Sequence, residues 1–278
     1  CSSDLNNASD NDIILIKKGE YKIDEPIEIN NTNLVIGGEG KDKSVINGYV
    51  ICGGYLQNNE INYSGNAQDI TLLSLGFKID SEEVNNIIKF GLNYNYNLGG
   101  INANEISGLR VLNCSFSGFA TGIKINNITN SLISNNKFEN LYIGGIEVTN
   151  SIKNSTLNKN VITNIGGSVV VLNDDSQQGN IFGIKLGLNS EENLGVTLFK
   201  NSISKIGLKN GDYKFLVEKI NGNYNGLNYM NNSGAIIIHS TSKNNLQTSG
   251  LSIFYNSVGS TLNNIVYNTT NSDRINSS

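Results

Sequence analysis

Tryptophan is absent from the 278 residues, and proline, methionine and histidine occur once each. Without Trp the chain lacks a strong platform for stacking sugar rings. The lone histidine, His239, supplies no catalytic dyad by itself. Arginine is limited to Arg110 and Arg274. Lys and Arg number 20 against 24 Asp and Glu, a net charge of −4 without a basic face, which argues against nucleic acid as a partner. No apolar run approaches the roughly 20 residues of a membrane span. Cysteine is scarce too, at three. Cys52 and Cys114 sit inside apolar segments and read as small buried hydrophobes rather than as a disulfide or a metal pair.

Asparagine is abundant, at 50 residues, beside 30 glycines. Both favour turns, because both tolerate left-handed backbone and Asn adds local side-chain bonds. The apolar fraction of 38% is arranged periodically between them, which argues for many short strands and against disorder. Asn recurs two residues before an apolar residue in Asn136-Lys137-Phe138, Asn160-Val161-Ile162, Asn201-Ser202-Ile203 and Asn256-Ser257-Val258, with Cys114-Ser115-Phe116 as a variant first member. Each is accompanied by a short apolar stretch such as Gly122-Ile123-Lys124-Ile125, Gly145-Ile146-Glu147-Val148 or Gly183-Ile184-Lys185-Leu186. Such a repeat is the signature of stacked coils. Stacking about 4.8 Å apart would line identical Asn side chains into a ladder.

The spacing locates the irregularities. With Ile101, Ile123, Ile146, Ile184, Ala235 and Ile265 as the first inward residues of successive first strands, the bare coil is about 22 residues long, close to the repeat length of solenoids. Extras fall between Phe77 and Gly100, between Ile162 and Gly183, and between Ile203 and Gly234. All three lie in the turn before the first strand, an arrangement that builds a rim along one side of a solenoid. Beside that rim the outward residues of the first strand form the column Asn102, Lys124, Glu147, Lys185, Ile236 and Val266.

The opening of the chain carries a family resemblance. After Ile13-Ile14-Leu15-Ile16 come Gly19-Glu20-Tyr21, Pro26-Ile27-Glu28-Ile29, Ile36-Gly37-Gly38-Glu39-Gly40 and Val45-Ile46-Asn47-Gly48. This order resembles the first coils of pectate-lyase-like proteins. The resemblance implies an all-β fold, a single-stranded right-handed parallel β-helix over residues 13–278, with an asparagine ladder and long loops inserted in one turn. It also implies a substrate groove on the first strand and the turn before it. The family's catalytic signatures are missing: there is no Asn-Thr-Asp, Gly-His-Gly or Arg-Ile-Lys, no Trp-x-Asp-His and no Arg-x-Pro-x-x-Arg. Residues 1–12, beginning Cys-Ser-Ser-Asp, resemble the flexible tether of a mature bacterial lipoprotein. That resemblance implies a lipid on Cys1 and an envelope location, at the outer membrane or the cell surface, with a protein partner there as an option. The alternative is an arbitrary starting point.

The candidate site follows from the column. Lys124, Glu147 and Lys185 alternate in sign. They can form a polar groove floor for a polysaccharide, with Asn102 beside them, or a solvated ion-pair ladder of structural value only. Tyr94, Tyr96, Tyr213 and Tyr224 lie in the extras, where they can stack on sugars or pin the loops down. If the protein is an enzyme, Lys124, Glu147, Lys185 and His239 are the residues to suspect, a lysine serving as base in a β-elimination. Glu82-Glu83, Asp174-Asp175 and Glu191-Glu192 could contribute oxygens to Ca²⁺, although no spacing reproduces a known calcium loop; otherwise no cofactor is expected. Three functions stay open: non-catalytic glycan binding, a polysaccharide lyase or glycoside hydrolase, and a structural spacer or adhesin.

Overall fold

The computed structural model describes residues 5, 7–58, 60–80, 99–141, 143–165, 182–188, 196–206, 227–230, 234–240 and 250–255. Their chain coils through three parallel sheets in turn, forming a right-handed parallel β-helix. The first sheet starts at Ile13–Ile16 and continues through Val35–Gly38, Thr71–Leu73, Arg110–Leu112, Leu132–Ser134, Thr156–Asn158 and Val196–Phe199. The second starts at Gly19–Lys22 and ends at Ser202–Ile206. The third contains Ile27–Ile29, Val50–Cys52, Gly99–Ser107, Thr121–Thr129, Gly144–Lys153, Phe182–Leu188 and Gly234–Ser240. It is the sheet expected to carry the groove.

Left-handed residues set the corners. Asn33, Asp69, Gly108, Asn130 and Asn154 have positive φ before successive strands of the first sheet. Ser74, Asn113, Asn135, Lys159 and Lys200 do so between the first and second sheets. Asn accounts for half of these positions because it enters the left-handed region at lower cost than most other residues with a Cβ. The corners also bond coil to coil: Asn130 N–H donates to Lys153 O at 3.1 Å, and Asn135 N–H to Asn158 O at 3.0 Å.

The expected ladder is present and buried. Cys114 N–H donates to Asn136 Oδ1 (2.8 Å). Asn136 gives its N–H (3.1 Å) and its Nδ2 (3.0 Å) to Asn160 Oδ1. Asn160 repeats this toward Asn201 at 3.2 and 2.9 Å. A second ladder runs through Leu109, Ser131 and Ser155, with each backbone N–H donating to the next serine hydroxyl at 2.9 and 3.1 Å. That serine ladder carried no sequence signal, because serine is scattered through the chain, in strands as well as turns, and does not mark one corner.

Inside the coil, side chains stack in columns, as expected when alternate residues of parallel strands face one core. Phe77, Phe116 and Phe138 stack with ring centroids 5.3 and 4.9 Å apart. Gly100 faces Phe116, Gly122 faces Phe138 and Gly145 faces Ile162 of the next coil, and none leaves room for a side chain. A Cβ at Gly122 would lie 2.4 Å from Phe138 Cδ1 and 2.7 Å from Gly145 O.

Four points depart from the sequence expectations. Lys185 pairs with Ile237 and Ile184 with Ile236, one residue from the expected alignment. Ile236-Ile237-Ile238 has no polar alternation, so its pattern does not fix which face is inward. The extras are not confined to one turn, because a hairpin of Tyr55–Gln57 and Glu60–Asn62 follows a third-sheet strand instead of preceding one. The third extra is interrupted by Leu227–Met230, which joins the first sheet beside Val196–Phe199. Finally, Gly250–Tyr255 pairs antiparallel with Gly234–Ser240. Within the stretch expected as a tether, Leu5 is buried in the core and Ala8 packs against it. Asn31 Nδ2 donates to Ala8 O at 2.8 Å, and Thr32 N–H to Asp10 Oδ1 at 2.8 Å.

Candidate functional site

Parallel pairing puts one outward residue of each third-sheet strand into register along the helix axis. The column runs Glu28, Ile51, Asn102, Lys124, Glu147 and Lys185. Its lower part is covered or internally bonded. Leu56 N–H, from the hairpin, donates to Glu28 Oε1 at 2.7 Å. Ile51 is fully buried although it faces outward. Asn102 is buried as well: its Nδ2 donates to Gly99 O (2.7 Å) and Val50 O (3.2 Å), and its Oδ1 accepts from Gly99 N–H (2.8 Å). Its amide is therefore committed to the backbone and is not presented to a ligand.

Above Asn102 the column opens and becomes charged. Glu147 Oε1 lies 3.0 Å from Lys185 Nζ, whereas Oε2 lies 3.9 Å from Lys124 Nζ. The side chains of Lys124, Glu147 and Lys185 are 23%, 10% and 21% exposed. Burial lowers the pKa of Lys124; the Glu147 charge raises it in part, and the Lys185 charge lowers it further. One carboxylate is thus shared unequally between two ammonium groups, and the trio carries a net charge of +1. This strip can hold or attract an anion, and Lys124 can act as a weakened ammonium.

Two residues further along the same strands lies a polar column that the sequence reading missed. Asn126 Nδ2 donates to Asn104 Oδ1 at 2.7 Å, and Thr149 Oγ1 donates to Asn126 Oδ1 at 2.8 Å. Asn150 Nδ2 donates to Asn127 Oδ1 at 2.9 Å. A bulge follows Ile125 and Val148, because Asn127 pairs with Ser151 and leaves Thr149 and Asn150 opposite Asn126. Bulges re-aim side chains and are enriched beside functional sites. The signal was available: the two-residue alternation that marked Lys124 and Glu147 also marks Asn126 and Thr149.

Other expected residues fall elsewhere. Tyr94, Tyr96, Tyr213, Tyr224 and Cys1 lie outside the described residues, as do Val266 and the acidic pairs 82–83, 174–175 and 191–192. His239 lies on the Gly234–Ser240 strand, where its backbone pairs with Gly187 and Gly250. It stands two residues past Ile237, the member of that strand in register with the Lys185 column. Arg110 is exposed on the first sheet, 4.0 Å from Asp69, away from this face. Cys52 and Cys114 are buried free thiols. Among the described residues no group of His, Cys, Asp and Glu is arranged to hold a metal, and no helix is long and apolar enough to cross a membrane.

No family model and no curated protein matches the chain. Among solved structures it is similar to the catalytic unit of a thermostable GH87 α-1,3-glucanase from Streptomyces thermodiastaticus strain HF3-3. The likeness covers 86% of this chain and 57% of that one, at 10% identity and a TM-score of 0.26. The chain therefore spans little more than half of that catalytic unit. The likeness is too distant to carry chemistry from one to the other, so the function has to be read from the site.

Proposed function

We propose that the outward face of the third sheet, around Lys124, Glu147 and Lys185, binds a polysaccharide without turning it over. The supporting observation is the pairing of two columns along the coil axis, one of alternating charge and one of side-chain amides and hydroxyls. Sugar hydroxyls need donors and acceptors at repeated intervals, and a solenoid repeats them at about 4.8 Å. Hydrolysis by the usual two-carboxyl route needs a second acid within about 10 Å. The column's other carboxylate, Glu28, is four coil steps from Glu147, roughly 19 Å at that spacing.

A second reading is favoured by one observation. The lowered pKa of Lys124 suits a base that abstracts a proton beside a uronic carboxylate. A glycan array, combined with absorbance at 235 nm to detect unsaturated uronate, separates the readings. Binding without absorbance growth supports the binder, and growth supports a lyase. Absence of binding to every glycan overturns both and leaves a structural spacer or adhesin.

A further inference from the structure

Resting on that glycan-binding reading, we infer that the ligand is acidic and that Lys124 receives its negatively charged group. The inference starts from a mismatch inside the Lys–Glu–Lys trio. Lys185 sits 3.0 Å from Glu147, a hydrogen-bonded ion pair. Lys124 sits 3.9 Å from the same carboxylate, beyond hydrogen-bond distance. Among the described residues no other acceptor meets its ammonium. Three N–H donors are therefore held in a half-buried position with their charge incompletely matched, an arrangement that is costly to keep without a partner.

The surroundings decide which partner fits. On the side toward the first coils Asn102 is turned into the backbone of Gly99 and Val50, so it supplies no acceptor to Lys124. On the other side Glu147 is held by Lys185. Two residues along the strands, Asn126 uses one amide hydrogen on Asn104 and accepts from Thr149. Among the described residues its second amide hydrogen and both those of Asn104 meet no acceptor, and they remain for sugar oxygens. A carboxylate or sulfate oxygen on Lys124, with ring hydroxyls on the amides, satisfies both columns together. A neutral sugar satisfies only the second. The hairpin on Glu28 and the buried Ile51 close the face below Asn102, so the charged group docks at the closed end of the open strip.

The test is equilibrium binding of the full chain to three probes: oligogalacturonate, the same oligomer as its neutral methyl ester, and a sulfated galactan oligomer. Wild-type protein is expected to bind one or both acidic probes at least about tenfold more tightly than the ester, as a charge-assisted hydrogen bond supplies. Lys124→Met should remove that preference, Lys124→Arg should keep most of it, and Lys22→Met, an equal charge change on another sheet, should leave it intact. Preference for galacturonate identifies the anion as carboxylate, and preference for the galactan identifies it as sulfate. If neither acidic probe binds more tightly than the ester, the inference is overturned while the glycan reading stands. A preference that survives Lys124→Met also overturns it. If the protein binds none of the probes and no arrayed glycan, the reading beneath the inference is overturned as well.

Discussion

Asn160 donates from Nδ2 to Oδ1 of Asn201 at 2.9 Å, although 41 residues separate them in the chain. The same Asn160 amide also donates to Ile133 O at 3.0 Å, and its Oδ1 accepts twice from Asn136. All these groups are buried. Replacing Asn160 with Leu removes the partner of the Asn136 N–H, of one Asn136 amide hydrogen (the Nδ2 bond to Val111 O stays) and of the Ile133 carbonyl. Each lost partner of a buried polar group costs about 1–3 kcal/mol, so a total of about 3 kcal/mol or more is expected. Urea denaturation should show a lower midpoint at unchanged slope. A loss under about 0.5 kcal/mol, the range of ordinary surface substitutions, would show that the ladder is dispensable.

The glycine column makes a paired prediction. Gly122→Ala places a Cβ 2.4 Å from a phenylalanine ring and 2.7 Å from a backbone oxygen. The oxygen belongs to the next coil and cannot rotate away, so overpacking should cost about 1–3 kcal/mol. At Gly37 the nearest atom is Leu73 O at 3.9 Å, an ordinary contact. Gly37→Ala should be neutral or stabilise by about 0.5 kcal/mol, because the unfolded chain loses freedom. Thermal melts of the two variants check the contrast, and equal shifts would contradict it.

Alkaline pH should weaken the fold through its thiols. Burial pushes Cys52 and Cys114 up to about 12 from 9.0. The unfolded chain therefore releases these protons first, and stability present below about pH 9 is lost as pH rises toward about 12. Tyr63, raised by burial from 10.0 to about 12, adds to the same fall. Lys124 acts oppositely: its lowered pKa is a penalty at neutral pH that lifts as pH rises toward 10.5. Chemical denaturation between pH 8 and 11 should show declining stability, with a flatter decline in a Cys52→Ala/Cys114→Ala variant. An identical slope would remove the thiols as the cause.

Legibility followed periodicity. The Asn register and the Gly-Ile stretches were readable because each coil repeats them at the same corner, and the Lys124–Glu147–Lys185 alignment followed from two-residue alternation. Where alternation vanished, as at Ile236-Ile237-Ile238, the register slipped by one. The hairpin at Tyr55–Asn62 escaped notice because the coil count began at Ile101, beyond it. The commitment of Asn102 to the Gly99 backbone was invisible for another reason. Period tells which face a residue occupies, not whether its amide turns back on its own strand.

Stability and binding should diverge within the charged trio. Glu147 is buried and holds Lys185 at 3.0 Å, so Glu147→Gln leaves two half-buried ammonium groups without their shared counter-charge. Breaking one side of such a pair is destabilising, by about 1–3 kcal/mol at this partial exposure. Lys124 differs, because its pairing at 3.9 Å is weak and burial already disfavours its charge. Lys124→Met keeps the apolar stem and removes the poorly matched ammonium. It should leave stability unchanged or raise it by up to about 1 kcal/mol, as expected where a residue is kept for a ligand rather than for the fold. Parallel urea titrations of the two variants at low salt give the comparison. If Lys124→Met costs as much as Glu147→Gln, the trio is a structural ion-pair ladder and its strip of charge has no unmet demand for an anion.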